Sequence, residues 1–241
     1  MSEVVWISHR GYHKDVVESS YNAFAEAVRL GFSVFETDLR TTADGQIVLQ
    51  HDSSMLRTAG VDRCIEDISY DEFKDTRLRD GQTGLGFEEL VSEFPDYNWI
   101  FDIKLESAET TIDRLSDWAD AHNSQAWLAS RSRFLFWTRD HQAYFKTKFP
   151  NAETLARESE CRWAGLSVLL GMPSLAGIET QRTYALPPSF LGIKLFSRQI
   201  VDEYRTRGGR VLAFLPEVED DVSSAVIAGF DEILTNGRPL R

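Results

Sequence analysis

Short apolar runs alternate with longer amphipathic stretches along this chain, the pattern of strands separated by helices. Val4–Ser8 opens the pattern as a strand. Ser19–Leu30 follows at helical spacing, with Phe24, Ala27, Val28 and Leu30 on or near one face and Gly31 as a stop. Ser33–Asp38 is a second strand. Asp44-Gly45 is a hairpin signal, so Ile47–His51 reads as the return arm of a hairpin and not as a further strand of the main sheet. Gly86–Phe94 reads as a helix and Asn98–Ile103 as a strand. Ser107–Ala121 spaces Ile112, Leu115, Trp118 and Ala119 for one helical face. Later strands are expected at Ala126–Ser130, Glu153–Ala156, Phe190–Leu195, Val211–Leu215 and Glu232–Thr235. Phe134–Thr138 competes for the fourth position. Arg198–Arg207 and Val222–Gly229 are the helices between the last strands.

With the hairpin arm set aside, eight strands with helices between most of them suit an α/β protein of the TIM (β/α)8 barrel type. The barrel would be one domain over residues 1–241, with a hairpin and a small insertion after strand 2. Residues 53–85 are charged and lack a clear period, and are expected to be an insertion over the barrel mouth. An open doubly wound sheet is the alternative.

Composition narrows the class. A chain of 241 residues, 42% hydrophobic, can bury one sizeable core. No apolar run is long enough to span a bilayer. Met-Ser-Glu leads straight into the first strand without a basic segment or cleavage pattern, which gives the expectation of no signal peptide and a cytoplasmic location. Asp and Glu number 38 against 26 Lys and Arg, a net charge of −12 that argues against nucleic acid as a partner. The two cysteines, Cys64 and Cys161, form no ligand-spaced cluster.

A barrel carries its working groups at the carboxyl ends of its strands. Here those ends read His9-Arg10-Gly11, Glu36-Thr37-Asp38, His51-Asp52 and Asp102-Ile103-Lys104. Side chains alternate along a strand, so Glu36 and Asp38 point to one side, as do Asp102 and Lys104. Converging carboxylates repel unless protons or a cation neutralise them. Oxygen ligands select a hard ion, Mg²⁺ or Ca²⁺. His9 and His51 have the proton affinity for acid–base work near neutral pH. Arg10 and Lys104 suit a phosphate. An isolated acidic pair is most often a solvated face, and an isolated histidine is usually structural. Their agreement at successive strand ends points to a metal-assisted phosphate enzyme.

The ordered set His9-Arg10-Gly11, Glu18-Ser19-Ser20, Phe24, Ala27, Gly31, Glu36-Thr37-Asp38-Leu39, Thr42-Ala43-Asp44-Gly45, Val48, His51-Asp52 and Leu56-Arg57-Thr58-Ala59-Gly60 resembles the glycerophosphodiester phosphodiesterase family. Phe87-Glu88-Glu89-Leu90 and Asp102-Ile103-Lys104 continue the match, which covers about the first 105 residues. Gly208–Phe214, and Gly229–Asn236 followed by Pro239, look like the family's last two strands. The resemblance implies the barrel and metal-dependent hydrolysis of a small-molecule phosphodiester, by default a glycerophosphodiester of lipid metabolism. By position, His9 and His51 would be the acid–base pair, Glu36, Asp38 and Asp102 the metal ligands, and Arg10 and Lys104 the phosphate contacts. Which histidine acts as acid stays open. The nucleophile is either water or a hydroxyl of the substrate, the latter giving a cyclic phosphate as in related phospholipase D-type barrels. A barrel that binds a phosphorylated ligand without turnover is the rival outside enzymology.

This chain departs from the family in places. Asp102 stands where the family usually has a glutamate, and its oxygens reach less far by about 1–1.5 Å. Glu18-Ser19-Ser20 replaces the usual Glu-Asn-Thr, Phe214 the usual tryptophan, and Thr235-Asn236 the usual Thr-Asp. His13, Trp137 and Phe214 are further candidates for the pocket. The acidic run Glu217–Asp221 reads as the solvated start of a helix.

Overall fold

The structure, a computed structural model, describes residues 4–239. The start Met1–Glu3 and the last two residues of the expected 1–241 domain therefore lie outside the described residues. In chain order the elements are β1 (Val5–His9), α1 (Tyr21–Arg29), β2 (Val34–Thr41), β3 (Ile47–Leu49), α2 (Leu56–Ala59), α3 (Tyr70–Asp75), α4 (Phe87–Glu93), β4 (Asn98–Ile103), α5 (Ala108–Ala121), α6 (Gln125–Arg131), β5 (Ser132–Leu135), α7 (Arg139–Lys148) and β6 (Glu153–Thr154). They continue with α8 (Glu158–Leu169), β7 (Thr183–Leu186), β8 (Ser189–Phe190), β9 (Ile193–Lys194), α9 (Arg198–Arg205), β10 (Arg210–Phe214), α10 (Glu219–Ala228) and β11 (Glu232–Thr235). Two compact units divide the chain: Ser8–Glu153, and residues up to Ile7 together with those from Thr154 on.

In the unit Ser8–Glu153, β2 pairs in parallel with β4, and β4 with β5. The expected hairpin arm, β3, returns antiparallel to β2. Every residue of β2 is buried, as a strand covered on both faces requires. The core beneath is aromatic: Phe24 of α1, Phe35 of β2 and Trp99 of β4 meet with ring centroids 5.1–5.9 Å apart. Helix α1 turns Ala23, Phe24 and Ala27 inward and starts at Ser20, whose hydroxyl accepts from the Ala23 N–H. Residues 53–85 carry a small core of their own, in which Met55, Ile65, Ile68, Phe73 and Leu78 pack with Val48 of β3.

In the other unit, β7, β10 and β11 form a parallel set, with β10 in the middle. Tyr184, Tyr204, Val211, Phe230 and Ile233 fill its core. The acidic run falls where expected, with Glu219, Asp220 and Asp221 in the first turn of α10.

Two expected strands are corrected. Ala126–Ser130 is helical, within α6, and the strand starts later at Ser132. Short apolar runs satisfy helix and strand templates alike, and the competing run around Phe134 takes the strand. Phe190–Leu195 is not one strand but the tight hairpin β8–β9. Leu191 and Gly192 both take left-handed φ, 49° and 78°, which turns the chain back. The strand that pairs with β10 lies upstream at Thr183–Leu186 and ends at Pro187-Pro188.

Candidate active site

The register of β2 on β4 builds the acidic centre. Asp38 and Asp102 are direct partners across the parallel pair, and Glu36 lies two residues earlier on the same side of β2. All three are buried. One carboxylate oxygen from each lies within 4.8 Å of the others. That separation is no more than two calcium–oxygen bonds of about 2.4 Å end to end, so the shorter Asp102 keeps its place in the cluster.

Two cations enter the cluster. Lys104 Nζ donates to Asp102 Oδ2 at 2.7 Å and sits 2.6 Å from Asp38 Oδ1. Arg10 Nε lies 2.9 Å from Asp38 Oδ2. These Asp38 contacts are ion pairs by distance. Each Asp38 oxygen thus faces one cation, and a carboxylate oxygen has a second lone pair to offer. Trp137 donates its indole N–H to Asp102 Oδ1 at 2.9 Å, and its ring centroid lies 5.4 Å from Lys104 Nζ. Glu36 Oε2 is 3.7 Å from His9 Nε2 and has no hydrogen-bond partner among the described residues.

The electrostatics follow from burial and count. Burial first, and then the charge of Asp38, push the Glu36 carboxyl well above the usual range, against Arg10 and Lys104. Asp102 is likewise raised by burial, although Lys104 opposes it. Burial pulls Lys104 down, but Asp102 and Asp38 together hold its ammonium above the ordinary value. Three carboxylates buried together beside Lys104 and Arg10, the latter shared with Glu18, do not all ionise without a further cation. Three converging oxygen donors that burial keeps from ionising together suit a hard divalent cation.

The first loop aims Arg10 by backbone strain. Arg10 and Gly11 take left-handed φ, 55° and 77°. The Arg10 N–H donates to the Glu36 carbonyl at 2.8 Å, and the Arg10 carbonyl accepts from Ser19 N–H at 2.9 Å. Gly11 packs directly on α1: a Cβ there would come within 2.6 Å of the Ala23 carbonyl carbon.

His51 follows β3, and its side chain is 38% exposed. Its Nδ1 is 2.7 Å from Asp52 Oδ1. Burial would raise Asp52, but hydrogen bonds from Arg57 and His51 hold it down at about 2. An ionised carboxylate only accepts, so Nδ1 carries the proton and Nε2 is the basic nitrogen of the neutral ring. Arg57 Nε donates to Asp52 Oδ2 at 2.7 Å, and its terminal nitrogens reach Glu18. Glu18 also accepts from Arg10 Nη1 at 3.0 Å. Its burial would raise the carboxyl, but the Arg57 hydrogen bond and the charges of Arg10 and Arg57 bring it down to about 2.

Thus Glu36, Asp38 and Asp102 cluster within 4.8 Å, with His9 beside Glu36, Arg10 on Asp38 and Lys104 on Asp38 and Asp102. His51 connects to them through Asp52, Arg57, Glu18 and Arg10. The sequence reading gave no role to Glu18, Asp52 or Arg57, although each belongs to a motif it singled out. Trp137, weighed as a pocket residue, touches Asp102 and Lys104. His13 is less central: its ring lies 6.3 Å from that of His9, and Nδ1 faces the Gly11 carbonyl at 3.1 Å. Phe214 closes β10 in the other unit, where a cavity of about 420 Å³ is lined by Leu215, Val218, Val222, Thr235, Asn236 and Arg238 among others.

Comparison with solved structures shows the fold. The glycerophosphoryl diester phosphodiesterase domain of a Mycobacterium tuberculosis protein is 14% identical, with a TM-score of 0.83 over 98% of this chain and 97% of that one. A glycerophosphodiester phosphodiesterase from Thermotoga maritima is 19% identical, with a TM-score of 0.71 over 98% and 96%. The fold is therefore the TIM (β/α)8 barrel, as the strand pattern predicts. The family described as "Glycerophosphoryl diester phosphodiesterase family" matches residues 9–237, and the chain belongs to it.

Curated relatives align over shorter stretches. "Probable glycerophosphodiester phosphodiesterase 2" of Mycobacterium tuberculosis is 31% identical over 118 residues, 48% of this chain and 45% of that protein. "Glycerophosphodiester phosphodiesterase" of Caldanaerobacter subterraneus is 30% identical over 108 residues, 42% and 44%. "Lysophospholipase D GDPD1" of Homo sapiens is 39% identical over 66 residues, 27% and 21%. The matched stretches span less than half the length of each relative.

Proposed function

We propose that this chain is a phosphoric diester hydrolase that uses a divalent cation, Mg²⁺ or Ca²⁺, to cleave a glycerophosphodiester into glycerol phosphate and an alcohol. One observation carries the reading: three buried carboxylates converge within 4.8 Å of one another beside two cations and next to His9. Family membership and the names of the curated relatives support the substrate class.

Glu36, Asp38 and Asp102 would hold the cation, which when bound offsets charge on the non-bridging phosphate oxygens. Arg10 and Lys104 bind the same oxygens as charge builds at phosphorus. His51, with Nδ1 tied to Asp52, takes a proton from the attacking water at Nε2. Water oxygen bonds to phosphorus, and the bond from phosphorus to the alcohol oxygen breaks. His9, beside Glu36, protonates the departing alkoxide. The water thus ends with its oxygen on phosphorus and one proton on His51, and the proton spent by His9 balances it.

A lysophospholipid, itself a glycerophosphodiester with one acyl chain, is the second substrate reading. The 39% identity to human "Lysophospholipase D GDPD1" favours it.

The test is a panel of glycerophosphodiesters and lysophospholipids with Mg²⁺, Ca²⁺ or Mn²⁺, read by phosphorus NMR. The expected product is a phosphate monoester. A cyclic phosphate would make the nucleophile a substrate hydroxyl. Binding without turnover across the panel would make the barrel a ligand-binding protein.

A further inference from the structure

Helix α8 presents an apolar stripe to solvent. Its inner side buries Cys161, Ala164 and Ser167. On its outer side Trp163 and Leu166, with Leu170 at the C-cap, recur at i, i+3 and i+7, the spacing of one helical face. The chain then turns through Gly171, and Met172 and Leu175 extend the patch. These five side chains are between 38% and 60% exposed. From Trp163 to Ile178 the sequence holds no charged residue, in a protein that is 27% charged. The exposed apolar area is on the order of 500 Å², at the top of what a monomer ordinarily leaves uncovered.

The chemistry of the patch selects its occupant. A stable dimer needs roughly 800 Å² per partner with hydrogen bonds at its rim, and this patch offers less area and no charge. The Trp163 indole N–H is already satisfied, since it donates to the Leu175 carbonyl at 2.9 Å. The ring can therefore enter an apolar phase without leaving a buried donor unpaired. No helix of the described residues is long and apolar enough to cross a membrane, so α8 would lie on a lipid surface and not through it. A net charge of −12 disfavours an anionic surface. We infer that Trp163, Leu166, Leu170, Met172 and Leu175 dock the protein on a zwitterionic lipid surface.

The test is flotation of the full chain with phosphatidylcholine vesicles, phosphatidylglycerol vesicles and no lipid. The wild type should float with phosphatidylcholine. The variant L170E/L175E should bind at least tenfold less with its thermal midpoint unchanged. Should that variant fold poorly, quenching by phosphatidylcholine brominated in its acyl chains supplies a second readout. Tryptophan fluorescence of the wild type should be quenched, and W163F should lose most of that quenching. No flotation of the wild type, binding confined to anionic vesicles, or unchanged quenching in W163F would overturn the inference. A wild-type dimer that L170E/L175E dissolves would assign the patch to a second copy of the chain and would also overturn it. None of these readouts depends on turnover.

Discussion

Arg57 holds Glu18 in a two-pronged grip, Nη1 on Oε2 at 2.8 Å and Nη2 on Oε1 at 2.7 Å. The same guanidinium donates Nε to Asp52, which orients His51, while Glu18 anchors Arg10. One arginine thereby couples the arm carrying His51 to the loop carrying Arg10. Fork-to-fork pairing of this kind fixes geometry as well as charge. Arg57→Lys keeps the charge, but its three donors leave from one nitrogen and cannot span Asp52 and both oxygens of Glu18 as the planar guanidinium does. It should lower kcat by about tenfold with a smaller change in KM. Equal losses in both parameters, or none, would remove Arg57 from the positioning of His51. The measurement is steady-state kinetics beside a thermal melt.

Gly11 tolerates no side chain. Its φ of 77° and the Ala23 backbone 2.6 Å from a would-be Cβ oppose Gly11→Ala together. The variant should lose about 2–4 kcal/mol of stability by urea unfolding. A loss under 0.5 kcal/mol would mean that the first loop does not rest on α1 as described.

Glu36 illustrates a trade of stability for chemistry. Its carboxylate is buried, has one uncommitted oxygen, and faces two other acids. Glu36→Gln replaces a carboxyl that burial holds against ionisation with a neutral amide of nearly the same shape. In metal-free buffer the variant should melt at or above the wild-type midpoint, while activity falls by 10² or more. A variant that is destabilised and still fully active would contradict both halves.

Acid should act on Glu18. Its folded value of about 2 lies below the ordinary 4.5, so its contribution to stability is complete above the ordinary value. That contribution fades as pH falls from about 4.5 and is gone once pH has passed the folded value near 2. After discounting for solvent screening it is on the order of 2 kcal/mol. Urea unfolding of the wild type and of Glu18→Gln should converge as pH drops through that window. A gap independent of pH would show that Glu18 contributes by shape and not by charge.

The histidines should behave alike in magnitude. His9→Ala and His51→Ala should each cut turnover by about 10²-fold or more with little effect on the melt. Near-wild-type rates in either variant would refute its part in proton transfer.

The hydrophobic pattern specifies much of the fold. Asn98–Ile103 and Glu232–Thr235 are strands at the bounds the sequence predicts. Both are apolar runs flanked by turn residues, which leave little choice. Ala126–Ser130 and Phe190–Leu195 mislead because local composition does not reveal which neighbour the chain will pair with. The site shows the same division. The acids are legible because i, i+2 spacing fixes side on a strand, and the register then sets Asp38 against Asp102. Glu18, Asp52 and Arg57 are not, because they sit in loops and a short helix and act through long side chains that no period describes. Trp137 likewise reaches Asp102 from beyond the end of β5, a contact only the fold creates.

The central claim is a divalent cation seated on Glu36, Asp38 and Asp102. It is tested most directly by turnover of a glycerophosphodiester after dialysis against EDTA, followed by return of Mg²⁺ or Ca²⁺. The account predicts a fall of at least 10²-fold and recovery when the ion is restored. Full turnover in excess EDTA would contradict it.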